Sequence, residues 1–321
     1  MEKEDSKNIE SRTGELFGGL WHHLDDEQFE QSVDLFASRF AANGFDLSWF
    51  KGKQCLDVGC GGGRYSIAMG RLGAGQVVGC DVSDTGLADA RARADGMSNV
   101  SFKKASALDL PFDDESFDFV CCSGVLHHTE DPDKGLDELT RVLRPKGRLY
   151  LLLYGTGGLR WAASDALRPI AQELGYEFMD RAVEKAGLPP NNRAAIMDDF
   201  FVPIFELVDW QMLHNKLRER DFVECQRWGK GKFDHEANIK NQREELDKLA
   251  RIFSSSGELV DTKDGHLRRL TEKGLSLAKG FVGLVDELVL SFEKEQITAE
   301  QLEWEIIGEG HHRVIARKDG S

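Results

Sequence analysis

The chain has 321 residues, of which 40% are hydrophobic and 30% charged, and its formal net charge is -15. This balance suits a folded globular protein and excludes wholesale disorder, while the negative field opposes phosphate backbones, so nucleic acid is not an expected partner in the absence of a basic patch. The first ten residues, MEKEDSKNIE, are charged and lack an apolar signal core, and no run reaches the roughly 18 apolar residues of a membrane span; the expectation is a cytoplasmic protein without a membrane partner.

In chain order, Phe29, Val33, Phe36 and Phe40 recur at helical spacing and predict an amphipathic helix over 27–43, closed by Gly44. Apolar runs then predict strands at 54–58, 76–80, 100–104, 117–122 and 148–153, with crossover helices at 65–72, 85–94 and 134–143, the last stopped by Pro145 and Gly147. Strands and helices in alternation imply a parallel sheet covered on both faces. Thr156-Gly157-Gly158 reads as a flexible break into helical sequence, which Pro189-Pro190-Asn191-Asn192 divides. A helix at 208–220, a strand at 222–228, a long helical stretch to Leu302 and a last strand at 312–318 follow, with Ser254-Ser255-Ser256-Gly257 expected as a loop.

The six cysteines, at 55, 60, 80, 121, 122 and 225, form no C-x-x-C pair and have no histidine partners at metal spacing, so they read as reduced, buried thiols, and no metal is expected. The sharpest motif is Asp57-Val58-Gly59-Cys60-Gly61-Gly62-Gly63-Arg64, an apolar strand running into glycines that let a ligand approach the backbone at a helix start. Arg64 breaks the G-x-G-x-x-G spacing of a dinucleotide fingerprint, which disfavours a nicotinamide enzyme. The next strand ends in Asp81-Val82, and a doubly wound sheet brings such a carboxylate beside the glycine loop, where it can accept both hydroxyls of a ribose; the competing role is a helix N-cap shared with Ser83.

In this ordered set the chain resembles the class I S-adenosylmethionine-dependent methyltransferases over about residues 21–154, with Leu110-Pro111-Phe112, Ser116-Phe117-Asp118, Ser123-Gly124-Val125-Leu126-His127-His128 and Arg141-Val142-Leu143-Arg144-Pro145-Lys146-Gly147 also typical. The resemblance implies a seven-stranded, doubly wound, mostly parallel α/β sheet of Rossmann-like type, with a helical N-terminal cap and helical insertions. It implies S-adenosyl-L-methionine as cofactor, its methionine end at Asp57, Gly59, Cys60, Gly61 and Gly63, its ribose at Asp81 and Val82, and its adenine at Ser106, Ala107 and Leu108, with Ser123 and Trp21 completing the site. The family usually carries an aspartate where Ser106 stands, so adenine recognition departs from its pattern; Ser106 itself or Asp109 could accept the adenine amine.

Methyl transfer from a sulfonium is an in-line displacement, for which a positioned base is useful with an alcohol or thiol acceptor. By resemblance to the phosphobase methyltransferases, His127 is the candidate base, with His128 beside it; packing at a helix start is the competing role. Phe17 and Trp21 are expected to cover the cofactor. Trp161, Trp210 and Trp228 read as core; His22, His23 and the pair His235-Glu236 are further polar candidates, and His311 and His312, beside the sheet edge, have no carboxylate at fixed spacing for a metal site. The expected division is a cap over 1–50, a cofactor-binding core over 51–155, a substrate lid over 156–207, a core helix and strand over 208–228, a lid or dimer contact over 229–302, and a final strand over 303–321. The winged-helix-like run 257–274 lacks a preceding DNA-reading helix pair and is set aside.

Transfer of a methyl group to oxygen, nitrogen or sulfur of a small-molecule metabolite is the leading expectation. An enzyme using the same cofactor for non-methyl transfer or cyclisation, and a non-catalytic cofactor-binding regulatory or assembly protein, are the alternatives; a homodimer through the C-terminal helices fits the apolar face of 277–292.

Overall fold

The computed structural model describes the backbone of residues 2–21, 25–229, 233–261 and 263–320, with side chains except at 2–8, 19–21, 190 and 191. In chain order the elements are α1 (Glu2–Trp21), α2 (Asp26–Ala42), β1 (Gln54–Val58), α3 (Arg64–Arg71), β2 (Gln76–Asp81), α4 (Asp84–Arg93), β3 (Val100–Lys104), β4 (Phe117–Ser123), α5 (Pro132–Val142), β5 (Leu143–Tyr154), α6 (Leu159–Leu174), α7 (Tyr176–Lys185), α8 (Pro190–Phe201), α9 (Trp210–Glu219), β6 (Phe222–Trp228), α10 (His235–Leu259), α11 (Gly265–Glu293), α12 (Ala299–Ile307) and β7 (His311–Lys318). They divide into two compact units: residues 1–154, 203–229 and 311–321, and residues 155–202 and 230–310.

The first unit holds a seven-stranded sheet in the order β3-β2-β1-β4-β5-β7-β6. Its first five strands pair in parallel, and β7 runs antiparallel between β5 and β6. The strand order reverses between β1 and β4, so the chain leaves their carboxyl ends in opposite directions and opens the crevice where ligands of doubly wound sheets bind.

Both faces of this sheet are covered. On one, Asp25 caps α2 by accepting the Gln28 amide at 2.8 Å, and the expected stripe of Phe29, Val33, Phe36 and Phe40 is buried. Phe40 stacks on Phe36 at 4.2 Å and meets Trp228 edge-on at 4.7 Å, within a core that includes Tyr65, Ile67, Phe119 and Tyr150. Each such side chain taken out of water contributes about 1.5–3 kcal/mol. On the other face, Leu136 and Leu139 of α5 and Leu213 and Leu217 of α9 cover Val120, Leu149, Leu151 and Val314.

Strand β5 begins five residues before the expected position. Its pairing with β4 jumps from Phe117–Leu143 to Phe119–Arg148, so Arg144 to Gly147 bulge out of the ladder, Lys146 takes φ +64°, and Pro145 needs no donor there. Proline and glycine therefore mark a bulge inside this strand instead of a boundary before it.

The second unit is helical: α10 packs on α11 and α7, and α11 on α6. The expected loop at Ser254-Ser255-Ser256-Gly257 is helix within α10. Ile252, Phe253 and Ser256 are buried, the Ser256 hydroxyl donates back to the Phe253 carbonyl at 2.8 Å, and a Cβ at Gly274 of α11 would lie 2.2 Å from the Phe253 ring. Packing of Phe253 thus overrides the loop preference of the serines. The expected flexible break is also closely packed: a Cβ at Gly158 would lie 2.7 Å from Ile307, and the Thr156 carbonyl accepts the Glu309 amide at 2.7 Å.

Candidate functional site

Five glycine-loop residues and one carboxylate meet at the reversal of the sheet. The Gly59 and Cys60 amides donate to the Cys80 carbonyl at 2.8 and 3.0 Å, and the Gly63 amide to Cys60 at 2.9 Å. Gly61 donates to Asp81 Oδ2 at 2.8 Å, and the Ser83 amide to Asp81 Oδ1 at 2.8 Å. The amides of residues 59, 60, 61 and 63 are therefore spent within the protein. What the loop presents is bare backbone, since a Cβ at Gly61 or Gly62 would meet no atom within 4 Å.

Asp57 points inward from β1 and is buried. Its Oδ2 accepts the Ser66 hydroxyl at 2.7 Å, but burial dominates and pushes its carboxyl up to about 6. It ties β1 to α3, the two elements that flank the loop. Asp81 is also raised above the usual carboxylate range by burial, against the pull of the Ser83 and Gly61 amides. Ser83 itself caps α4 by accepting the Gly86 amide at 3.1 Å. Each Asp81 oxygen takes one backbone amide at 2.8 Å, the Val82 amide adds a weaker pull, and the carboxylate retains acceptor capacity for a ligand hydroxyl.

Ser106, Ala107 and Leu108 form a tight turn after β3, with the Ser106 hydroxyl accepting the Leu108 amide at 3.0 Å. Its own proton goes to the carboxylate of Glu10, on α1. Asp109, the other expected amine acceptor, is exposed. The following Leu110-Pro111-Phe112 segment is held by α5: Arg141 donates to the carbonyls of Phe112 and Leu110 at 2.8 and 2.9 Å, and Glu138 accepts the Leu110 amide at 2.7 Å. Glu10 and Glu138 are absent from the expected set, and Arg141 enters it only as part of a motif. A salt-linked i, i+3 pair resembles any solvated helix face, which is why Glu138 carries no sequence signal.

After β4, Ser123 is half-buried and residues 126–128 make one 3-10 turn. His127 is completely buried, 4.0 Å from the His128 ring and 4.1 Å from Tyr154, with no hydrogen-bond partner at either ring nitrogen. Burial holds it well below the ordinary imidazole range. His128 lies 5.3 Å from the Phe17 ring and places Nδ1 2.9 Å from the Ile204 carbonyl. Because a carbonyl only accepts, Nδ1 carries the proton in this contact, which makes Nε2 the basic nitrogen of the ring. The Tyr154 ring continues this line to His311 at 4.9 Å, while His312 is buried with Nε2 2.7 Å from the Val208 carbonyl. The Trp21 side chain, and His22 and His23, lie outside the described residues.

His127 sets a pH dependence of stability. The unfolded imidazole takes a proton below about pH 6.5 while the folded one does not, so its stabilising contribution is complete above that pH and is lost as pH falls from there. Asp57 acts in the opposite sense over its raised range. Urea unfolding at pH 7.5 and 5.5 should show His127→Asn escaping about 1 kcal/mol of acid destabilisation that the unmodified chain suffers.

Among the described residues no group of three or more His, Cys, Asp or Glu side chains is placed to hold a metal ion, and no helix is long and apolar enough to cross a membrane. The methyltransferase domain model matches residues 56–151, which span β1 to β5. A demethylmenaquinone methyltransferase of Clavibacter sepedonicus is 45% identical over 105 residues, 33% of this chain and 42% of that protein. A 27-O-demethylrifamycin SV methyltransferase of Amycolatopsis mediterranei is 31% identical over 193 residues, 56% of this chain and 70% of that protein. The chain belongs to the class I S-adenosylmethionine-dependent methyltransferases. A Galdieria sulphuraria structure assigned as a sarcosine dimethylglycine methyltransferase shares the fold, at 14% identity and a TM-score of 0.50 over 96% of this chain and 98% of that one. The alignment thus spans less than half of the Clavibacter methyltransferase's length. Membership supplies the cofactor, S-adenosylmethionine, and within the methyltransferase fold the matched segment contains the glycine loop, Asp81, the 106–108 turn and both histidines of the 3-10 turn.

Proposed function

We propose that the chain transfers the methyl group of S-adenosylmethionine to an oxygen, nitrogen or sulfur of a small-molecule metabolite. The reading is carried by Asp81: a half-buried carboxylate with acceptor capacity to spare, clasped to the Gly61 amide beside a bare glycine surface. Bound there, the cofactor would supply an electrophilic methyl group on a sulfonium. Asp81 and Val82 would hold the ribose; Gly59, Cys60, Gly61 and Gly63, with Asp57 beneath them on β1, would pass the methionine portion; and the 106–108 turn would flank adenine, with Ser123 at the end of β4 completing the described part of the site. Of the two histidines, His128 is the better base, because its donation to Ile204 fixes the ring orientation and tautomer with Nε2 as the basic nitrogen, whereas His127 is sealed in the core as its packing partner. The metabolite named for the Amycolatopsis relative supports a small-molecule acceptor.

The test is incubation of the protein with S-adenosylmethionine and metabolite fractions, read by mass spectrometry. A product heavier by one methylene, formed together with S-adenosylhomocysteine, is the expected result. Cofactor consumption without a methylated product would indicate another use of the sulfonium, and binding without turnover a regulatory protein. With an alcohol or thiol acceptor, His128→Ala should lower kcat by about 10²–10⁴-fold at unchanged cofactor affinity.

A further inference from the structure

Helix α1 lies along the crevice on a single face. Glu10, Gly14 and Gly18 recur at steps of four, so they form one stripe. A Cβ at Gly14 would stand 2.9 Å from Val82 Cγ2, and one at Gly18 would stand 2.3 Å from Ser83 Oγ and 3.2 Å from Thr85, so the glycines let the helix press onto the turn that follows Asp81. Phe17 continues along the same helix to His128. At the other end of the stripe, the Glu10 carboxylate accepts the Ser106 hydroxyl.

Ser106 is thereby a poor acceptor for a ligand amine: one of its two lone pairs takes the Leu108 amide, its proton is committed to Glu10, and it carries no charge. Glu10 uses one of about four acceptor sites on Ser106 and is half-buried beside the turn, which leaves a charged acceptor facing whatever binds there. We infer that Glu10 is the carboxylate that takes the exocyclic amine of the cofactor's adenine, with Ser106 as its positioning residue, so that α1 is part of the binding site. The inference rests on the proposed placement of adenine at residues 106–108. It assigns a ligand class as well: a 6-aminopurine donates to Glu10, whereas a 6-oxopurine sets an oxygen against it and is rejected.

The experiment is calorimetric titration of the full chain with S-adenosylhomocysteine and with its 6-oxo analogue, S-inosylhomocysteine. Wild type should prefer the amino compound by about 100-fold or more. Glu10→Ala should weaken S-adenosylhomocysteine by about tenfold or more, Ser106→Asp in that background should restore it, and Glu10→Gln, whose amide also donates, should narrow the preference between the two ligands. Equal binding of both ligands by wild type overturns the inference without any variant. S-adenosylhomocysteine binding that is unchanged in Glu10→Ala, yet lost in Asp81→Asn, overturns it while leaving the cofactor site standing. Absence of wild-type binding would bring down the site and the inference together.

Discussion

Asp81→Asn is expected to reduce affinity for S-adenosylmethionine by about 100-fold or more, because two charge-assisted hydrogen bonds to the ribose are worth about 1.5–3 kcal/mol each. Asparagine keeps the shape of the side chain and can accept from Gly61, but its Nδ2 then faces the Ser83 amide, so melting of the unliganded variant is measured beside its affinity to separate lost recognition from lost stability. The acid dependence supplies a second reading. Burial raises the Asp81 carboxyl, and only its ionised form accepts at both oxygens, so affinity should begin to fall on acidification at a higher pH than an ordinary carboxylate would give. Binding within about threefold of wild type in Asp81→Asn would remove the basis for the proposed ribose site.

Gly59→Ala should be the most damaging single-methyl change in the loop. Its φ of +69° already strains any L side chain, and the new Cβ would stand 2.2 Å from Val125 Cγ2 and about 3 Å from two more of its carbons. Backbone strain of about 1–3 kcal/mol and overpacking of similar size add to roughly 2–6 kcal/mol, measurable as a lowered urea midpoint. Val125 lies two residues before His127, so relief by movement of Val125 would disturb the histidine turn. Gly61→Ala gives the contrast: φ is +49°, yet no atom lies within 4 Å of the added methyl, so strain alone should lower stability while the methyl protrudes toward the cofactor. Equal stability losses in the two variants would contradict the close approach of Val125.

The first five strands are legible in the sequence because each is a short apolar run ended by turn chemistry, and α2 because its four large apolar residues keep one helical phase. The candidate site is legible wherever backbone demands dictate residue type, at the glycines and at the acid ending β2. Glu10 is illegible for a different reason: it meets Ser106 across 96 positions, in a helix with low apolar content whose glycines mimic turn signals. The bulge at Pro145 and the helical serines at 254–256 mislead in the same way, since tertiary pairing and the packing of Phe253 outweigh local preference there.

The place of β7 has a consequence for how the molecule is made. β7 lies between β5 and β6 and, among the described residues, supplies the one ladder that ties β6 to the rest of the sheet. During synthesis, β1 to β5 can zip together as they leave the ribosome, but β6 must wait, unpaired, while more than 80 further residues are translated, and the outer edge of β5 stays open for longer still. Closing a sheet with a strand so distant in sequence is slow, and an open edge invites pairing with another chain. Release of the nascent polypeptide just before His311 should therefore yield an aggregation-prone product even though the glycine loop, Asp81 and both histidines of the turn have already been made.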